Sequence, residues 1–343
     1  KKFLFTLMIL ISSNLYSQDL PNIVPLSPNA ASIVKYGEIP VNHFTGIPKI
    51  NIPIYTINSG DLTLPLALNY HAGGNKVESI ASWVGLGWSL GTIPSISRSI
   101  RGLPDEKARG YFSKYSGKTI EQIWNLADDD PILDSFRIDL FAGKVDSEPD
   151  IFSYNLPSES GKFFYNQESD SFITYPKSNI IITREGSNYT LIDKNGVEFF
   201  FNIIEESRSS NETEGDLVNT TWYASKMKSP TKKSVIHFIY QEENQITKTT
   251  NVTTKYQYLD GSYDPETGFN LSNGNGSVSS INSIYAKVLD SIIFQNGYIK
   301  FNRNMMVERE DLQGGYSLNN ISIYNNQNKL INKYELTFLY KSG

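Results

Sequence analysis

Gly87-Trp88-Ser89-Leu90-Gly91 has the G-x-S-x-G spacing that exposes a nucleophilic serine on the tight strand-to-helix turn of an α/β-hydrolase. That chemistry needs an acid and a histidine downstream, and His237 is the only histidine after Ser89. The residues after Gly91 read Thr92-Ile93-Pro94-Ser95-Ile96-Ser97-Arg98. Their alternating isoleucines and the proline predict a strand, not the helix the motif requires, so a structural turn is expected here. A second set is acidic: Asp128, Asp129, Asp130, Asp134 and Asp139. Carboxylates are the ligand type of Ca²⁺, but this spacing fits no Ca²⁺ loop, and Asp128 to Asp130 are expected to leave a helix and enter Pro131 as a solvated turn. Asp260, Asp264 and Glu266 form a third acidic set in a polar loop.

Other chemistries have weaker footholds. His43, His71 and His237 are scattered, with no second histidine at ligand spacing. Cysteine is absent, which excludes disulfides, thiolate metal sites and cysteine nucleophiles. There is no phosphate-binding loop and no dinucleotide fingerprint, and no cofactor or bound metal is expected. The carboxylate pair of a glycoside hydrolase meets in space rather than in sequence, so that class stands as a weaker alternative. The net charge of −5 argues against nucleic acid, whose partners carry a basic patch.

The elements that must position these residues are mostly strands. The chain has 21 Tyr and 18 Phe among many Ile, Val and Thr, the types that suit a pleated, half-buried surface. Ile50, Ile52 and Ile54 alternate with Asn51 and Pro53, and Leu62, Leu64, Leu66, Leu68 and Tyr70 alternate with polar or small residues. Each run builds one apolar face, and Asn58-Ser59-Gly60-Asp61 turns one into the other. Pro53 and Pro65 cannot donate to a ladder and are expected at edge or bulge positions.

Further strands are expected at 163–165, 172–175, 180–183, 189–192, 197–202, 235–240, 292–294, 298–301, 321–324 and 334–340. Asn195-Gly196 and Asn296-Gly297 mark hairpins among them. Ile120, Ile123, Trp124 and Ala127 have helical spacing after a capping Thr119, and a second short helix covers 132–141. Ser207 to Asp216 and Asp260 to Ser280 are too polar to bury and read as loops. The result is mainly β: a meander of short antiparallel strands, as a β-sandwich or open β-shell segment, with a small helical insertion.

At the N-terminus, Lys1 and Lys2 precede an apolar run from Phe3 to Ile11 and a polar stretch ending at Ser17. This order describes a secretory signal peptide over 1–17, and the run is shorter than the roughly 20 residues that span a bilayer. The expected organisation is then a β region over 18–110, a helical insertion over 111–145 and a β meander over 146–343. A secreted or cell-surface location follows, without a stable transmembrane segment.

Residues 27 to 110 include a strand ending in Tyr70, then Gly85, Gly87, Trp88 and Ser89 in a G-x-G-W-S turn, then a strand ending in Arg98 and the segment Leu103-Pro104-Asp105-Glu106. Asp146-Ser147-Glu148-Pro149-Asp150, Ser160-Gly161-Lys162-Phe163, Asn195-Gly196-Val197-Glu198-Phe199 and Thr221-Trp222-Tyr223 follow in order. This series resembles the opening region of the YD-repeat, or Rhs-type, proteins secreted by Bacteroidota, and is similar to stretches of toxin-complex B subunits. The resemblance implies a non-catalytic role. Such proteins continue through strand repeats that wind into a hollow shell, and many enclose a C-terminal toxin. The chain has no run of those repeats and no recognisable toxin segment, so it is expected to be the first part of a longer protein or a shortened relative. Its expected partner is further chain, or another β-rich protein, joined at an exposed sheet edge. A surface adhesin or glycan-binding module, with aromatic stacking platforms, is the alternative.

Overall fold

The structure is a computed structural model that describes residues 46–74, 79–91, 93–210, 215–253 and 276–340. The expected signal peptide, His43 and the loop acids Asp260, Asp264 and Glu266 lie outside those residues.

The chain is mainly β and antiparallel. The first hairpin joins β1 (Lys49–Ser59) to β2 (Leu62–His71), and the three-residue β3 (Trp88–Leu90) extends it. Gly60 turns the hairpin at φ +60°, a region glycine enters without a Cβ penalty. In β2 the alternation holds: Leu62, Leu64 and Leu66 are buried while Thr63 and Pro65 are exposed. β3 pairs only with Leu68 to Tyr70, so Pro65 sits beyond those rungs, and Pro53 lies on the outer strand, as expected of prolines.

In β1 the expected face of Ile50, Ile52 and Ile54 does not form, because Ile52 is 45% exposed. Burial starts at Ile54 and then changes phase to Ile57 and Ser59, a three-residue step that strict alternation does not allow.

The remaining strands form one branched sheet. They are β4 (Ser95–Ser99), β5 (Ile151–Asn155), β6 (Ser160–Asn166), β7 (Ser171–Tyr175), β8 (Ile181–Glu185), β9 (Asn188–Ile192), β10 (Glu198–Ser210), β11 (Val218–Lys228), β12 (Val235–Thr253), β13 (Gly276–Phe294), β14 (Gly297–Glu308), β15 (Tyr316–Asn325) and β16 (Leu330–Glu335). At its centre four strands close on themselves. β10 pairs with β11, β11 with β12 through Lys226 to Lys228, β12 with β13 along their length, and β13 returns to β10 through Ile281 to Tyr285. Three arms leave this ring: β9 and β8; β4 to β7; and β14 to β16. A closed ring has no edge, whereas among the described residues each arm ends in a strand paired on one side only.

Three sequence expectations are revised, two of them by the ring. Ser207 to Ser210 are strand, not loop, because β13 supplies the hydrogen bonds their polar sequence did not advertise. β12 runs on to Thr253 and β13 begins at Gly276, so each extends well past its apolar stretch, and the last five residues of the expected 260–280 loop are strand. At the other end β16 stops at Glu335. Leu336 still donates to Asn319 O (2.8 Å), but no strand continues to Tyr340.

One apolar core draws on the first hairpin and the large sheet. Ile54, Ile57, Leu62, Leu64 and Leu66 join Phe152, Phe163, Tyr189, Phe199, Phe201, Trp222, Phe238 and Phe301. Phe152 stacks on Phe163 at 5.0 Å and 7°, and Tyr189 meets Trp222 edge-on at 5.3 Å. The Trp222 indole donates to Ser187 O at 2.7 Å, which satisfies its polar atom inside the core. Ser59 ties the hairpin tip down by accepting from Gln295 N at 3.2 Å, and the Tyr334 hydroxyl donates to Ile54 O at 2.9 Å.

The helical insertion forms as expected. α1 (Ile120–Trp124) starts in a capping box built by Thr119 and Gln122, and α2 (Pro131–Phe141) starts at Asp130 with proline in its first turn. They share a separate small core of Ile120, Ile123, Leu133, Phe136 and Val145. No helix among the described residues is long and apolar enough to cross a membrane.

Candidate functional site

Five of the six singled-out residues form one turn. Tyr70 and Trp88 face each other across β2 and β3 with ring centroids 5.1 Å apart. Gly85 and Gly87 take φ of +118° and +76°, and a Cβ on Gly87 would lie 2.7 Å from Tyr70 Cε2. Glycine is needed there for conformation and for space. Ser82 Oγ donates to Trp88 O at 2.5 Å and accepts from Val84 N at 3.2 Å, so the turn is fastened from beneath. Ser89 sits in β3 with its hydroxyl 3.5 Å from Asn69 O, and strand β4 follows. The strand-to-helix context of a nucleophile elbow is therefore missing, as the sequence predicts.

Arg98 belongs elsewhere. It is buried at the end of β4, 2.5 Å from Glu106 and 3.5 Å from Asp150, with its guanidinium 5.4 Å from the Trp222 ring centre. Asp105 and Asp150 exchange bonds: Asp150 N donates to Asp105 Oδ1 (3.0 Å) and Asp105 N to Asp150 Oδ2 (3.2 Å). Arg101 N also donates to Asp150, and Leu103 N donates to Asp146 at 3.1 Å. This pins the segment after β4 to the segment before β5, at the root of the helical insertion. Burial, reinforced by the Asp150 charge, pushes the Asp105 carboxyl up to about 8, and burial also raises Asp150 and Asp146. The spacing of these residues hides the cluster, although three of the quoted sequence elements meet in it: the strand ending in Arg98, Leu103 to Glu106, and Asp146 to Asp150.

The helical acids do not converge. Asp130 caps α2, Asp128 and Asp134 pair with Arg137, and Asp139 pairs with Arg109 and accepts from the Tyr115 hydroxyl at 3.0 Å. Among the described residues no group of three or more histidines and carboxylates is placed to hold a metal.

A cavity of about 360 Å³ is lined by residues from all four ring strands together with others outside the ring. Trp83, Tyr223 and Tyr240 wall it, Leu312 and Arg309 bound another side, and Glu205 lines it. Tyr223 donates to Glu205 Oε2 at 3.4 Å, and the Tyr240 hydroxyl donates to Ala224 O at 3.1 Å. Burial raises Glu205 and both tyrosines above their ordinary values. A larger groove of about 470 Å³ runs past Asp61, Pro65, Pro157, Asp193 and Pro230. Its two carboxylates are committed: Asp193 accepts from Asn195 N and Val197 N at 2.9 Å, and Asp61 accepts from Thr231 at 2.9 Å.

Sequence reading missed Glu205, Tyr223 and Tyr240 as neighbours. They are brought together by ring closure, and no local spacing encodes that. A scan against known protein families finds no match, and a comparison with curated proteins finds none either.

Proposed function

We propose that this chain is a non-catalytic structural module of an exported Rhs/YD-repeat-like protein, whose sheet is completed by further β chain. The observation that carries the reading is the outer side of β16. Leu330 and Ile331 are 47% and 56% exposed on this last strand of its arm, and among the described residues no strand pairs with its outer side. The edge is dressed for solvent: Lys333 N donates to the Asn332 side chain (2.8 Å) and Lys333 pairs with Glu335 (2.7 Å). Charge at an open strand blocks indiscriminate pairing while leaving the ladder available to its own continuation. The meeting of the quoted sequence elements at Arg98 and in the core supports the same reading, because it gives each a packing task.

The test is to weigh the native exported polypeptide and compare hydrogen exchange along β16 in that product and in this chain alone. A heavier product with slowed exchange at Lys333 and Glu335 is expected. A native monomer of this chain's mass, with β16 exchanging freely, overturns the reading in favour of a stand-alone surface binder.

A further inference from the structure

We propose that the outer face of the sheet around Phe200 binds the anionic groups of an acidic polysaccharide. Phe199, Met227 and Ile236 fill the core from one face of β10, β11 and β12, so their neighbours Phe200, Lys226 and His237 stand on the other. Phe200 is half-buried there, with the Lys226 and Lys228 ammonium groups 4.6 and 5.1 Å from its ring centre. The aromatic face holds each cation in place. It also gathers two like charges over one ring, and among the described residues neither lysine forms an ion pair. The acid opposite Lys228 in register, Glu198, is turned to Lys232 at 3.7 Å. An anion seated between the two ammonium groups offsets their repulsion, and no described side chain supplies it.

The positive charge extends beyond this pair. The turns after β9 and β11 touch, since a Cβ on Gly196 would lie 3.3 Å from Pro230 Cβ, and they carry Lys194, Lys232 and Lys233. The carboxylates at this end are engaged: Glu198 by Lys232, Asp193 by two backbone amides and Asp61 by Thr231. A chain of net charge −5 therefore keeps a local positive field here, complementary to an anionic ligand.

The same face supplies a track for an extended chain. Lys226, His237, Ile293, Tyr298 and Tyr324 stand directly opposite one another on β11 to β15, so their side chains share one face. With Phe200, opposite Lys226, the row crosses from β10 to β15, about 24 Å along the sheet at roughly 4.8 Å per strand. It mixes hydrogen-bonding groups with Ile293, which is 45% exposed, and contains no carboxylate. Sugars offer both hydroxyls and apolar C–H faces to such a strip. Nucleic acid bases need open aromatic faces, whereas Phe200 lies beneath two ammonium groups and Tyr298 and Tyr324 stack on each other at 4.9 Å. The site does not depend on whether further strands complete the sheet at β16.

The test titrates the full chain with dextran sulfate, neutral dextran, poly-L-glutamate and oligodeoxythymidine by calorimetry at low and high salt. Saturable binding of dextran sulfate that weakens with salt is expected, with neutral dextran unbound and the other two polyanions weaker by about tenfold or more. Lys226→Gln combined with Lys228→Gln should weaken dextran sulfate by about tenfold. Lys114→Gln combined with Lys144→Gln, on the helical insertion, should leave it unchanged. Equal losses in the two double variants, no loss in the first, equal binding of the three polyanions, or no saturable binding of dextran sulfate each overturns the proposal. The comparison of the polymers needs only the wild-type chain, so it stands even if a variant fails to fold.

Discussion

Replacing Asp105 by Asn tests the buried acid cluster, because the amide retains the shape and the acceptor for Asp150 N while removing the proton that titrates. In the folded chain Asp105 holds its proton to about pH 8, against an ordinary value of 3.8. Between those values the folded state binds more protons than the unfolded state, so stability falls as pH rises. The contribution is fully present below pH 3.8 and is lost on the way to pH 8. Each pH unit in that window is worth at most about 1.4 kcal/mol, so by pH 7 the wild type has given up as much as ~4 kcal/mol, an upper bound before the cluster relaxes. The amide of the variant does not titrate. Asp105→Asn should therefore lose less stability than wild type between pH 5 and pH 8 and be the more stable of the two at pH 8. Asp150 and Asp146, raised in the same direction, add a slope common to both proteins. Urea unfolding at a series of pH values reads the difference directly. Parallel curves for the two proteins would refute the claim that Asp105 is held protonated by burial and by Asp150.

Further substitutions probe packing. Gly87 and Gly117 share φ +76°, but a Cβ on Gly117 meets nothing within 4 Å. Gly117→Ala should cost about 1 kcal/mol of backbone strain, and Gly87→Ala about 2–3 kcal/mol because Tyr70 must also move, read as urea midpoints; equal losses would show that Tyr70 yields freely. Arg303 and Glu243 pair with side chains 3% and 2% exposed, so Glu243→Leu alone should cost about 3–5 kcal/mol by stranding Arg303. Adding Arg303→Met should recover most of that loss, and a double variant as unstable as the single would show that the pair does more than compensate its own charges.

What could be read from sequence was local. β2 follows from alternation within its own ten residues, and Thr119 caps α1 through a neighbour three positions away, whereas Asp130, expected to close a helix as a solvated turn, instead opens α2. The Gly85–Ser89 turn was legible for the same reason. The ring was not, because it closes by pairing the polar Glu206 to Ser210 with Ile281 to Tyr285, and neither stretch carries an alternating apolar face. Arg98 was singled out with the wrong company. Its carboxylate at Asp150 lies far along the chain, and a buried ion pair leaves no periodic trace. Glu205, next to Glu206, reads as a surface charge until β11 and β13 enclose it.

The ties of the first hairpin have a consequence in time. Ser59 is fixed by Gln295, 236 positions on, and Ile54 by Tyr334, 280 on. A chain made from its N-terminus forms β1 and β2 first, yet these anchors arrive only with the last arm. Contacts so distant are slow to form, and the hairpin is not fully anchored until they do. The element that is easiest to read thus depends, for its last anchors, on the end of the chain.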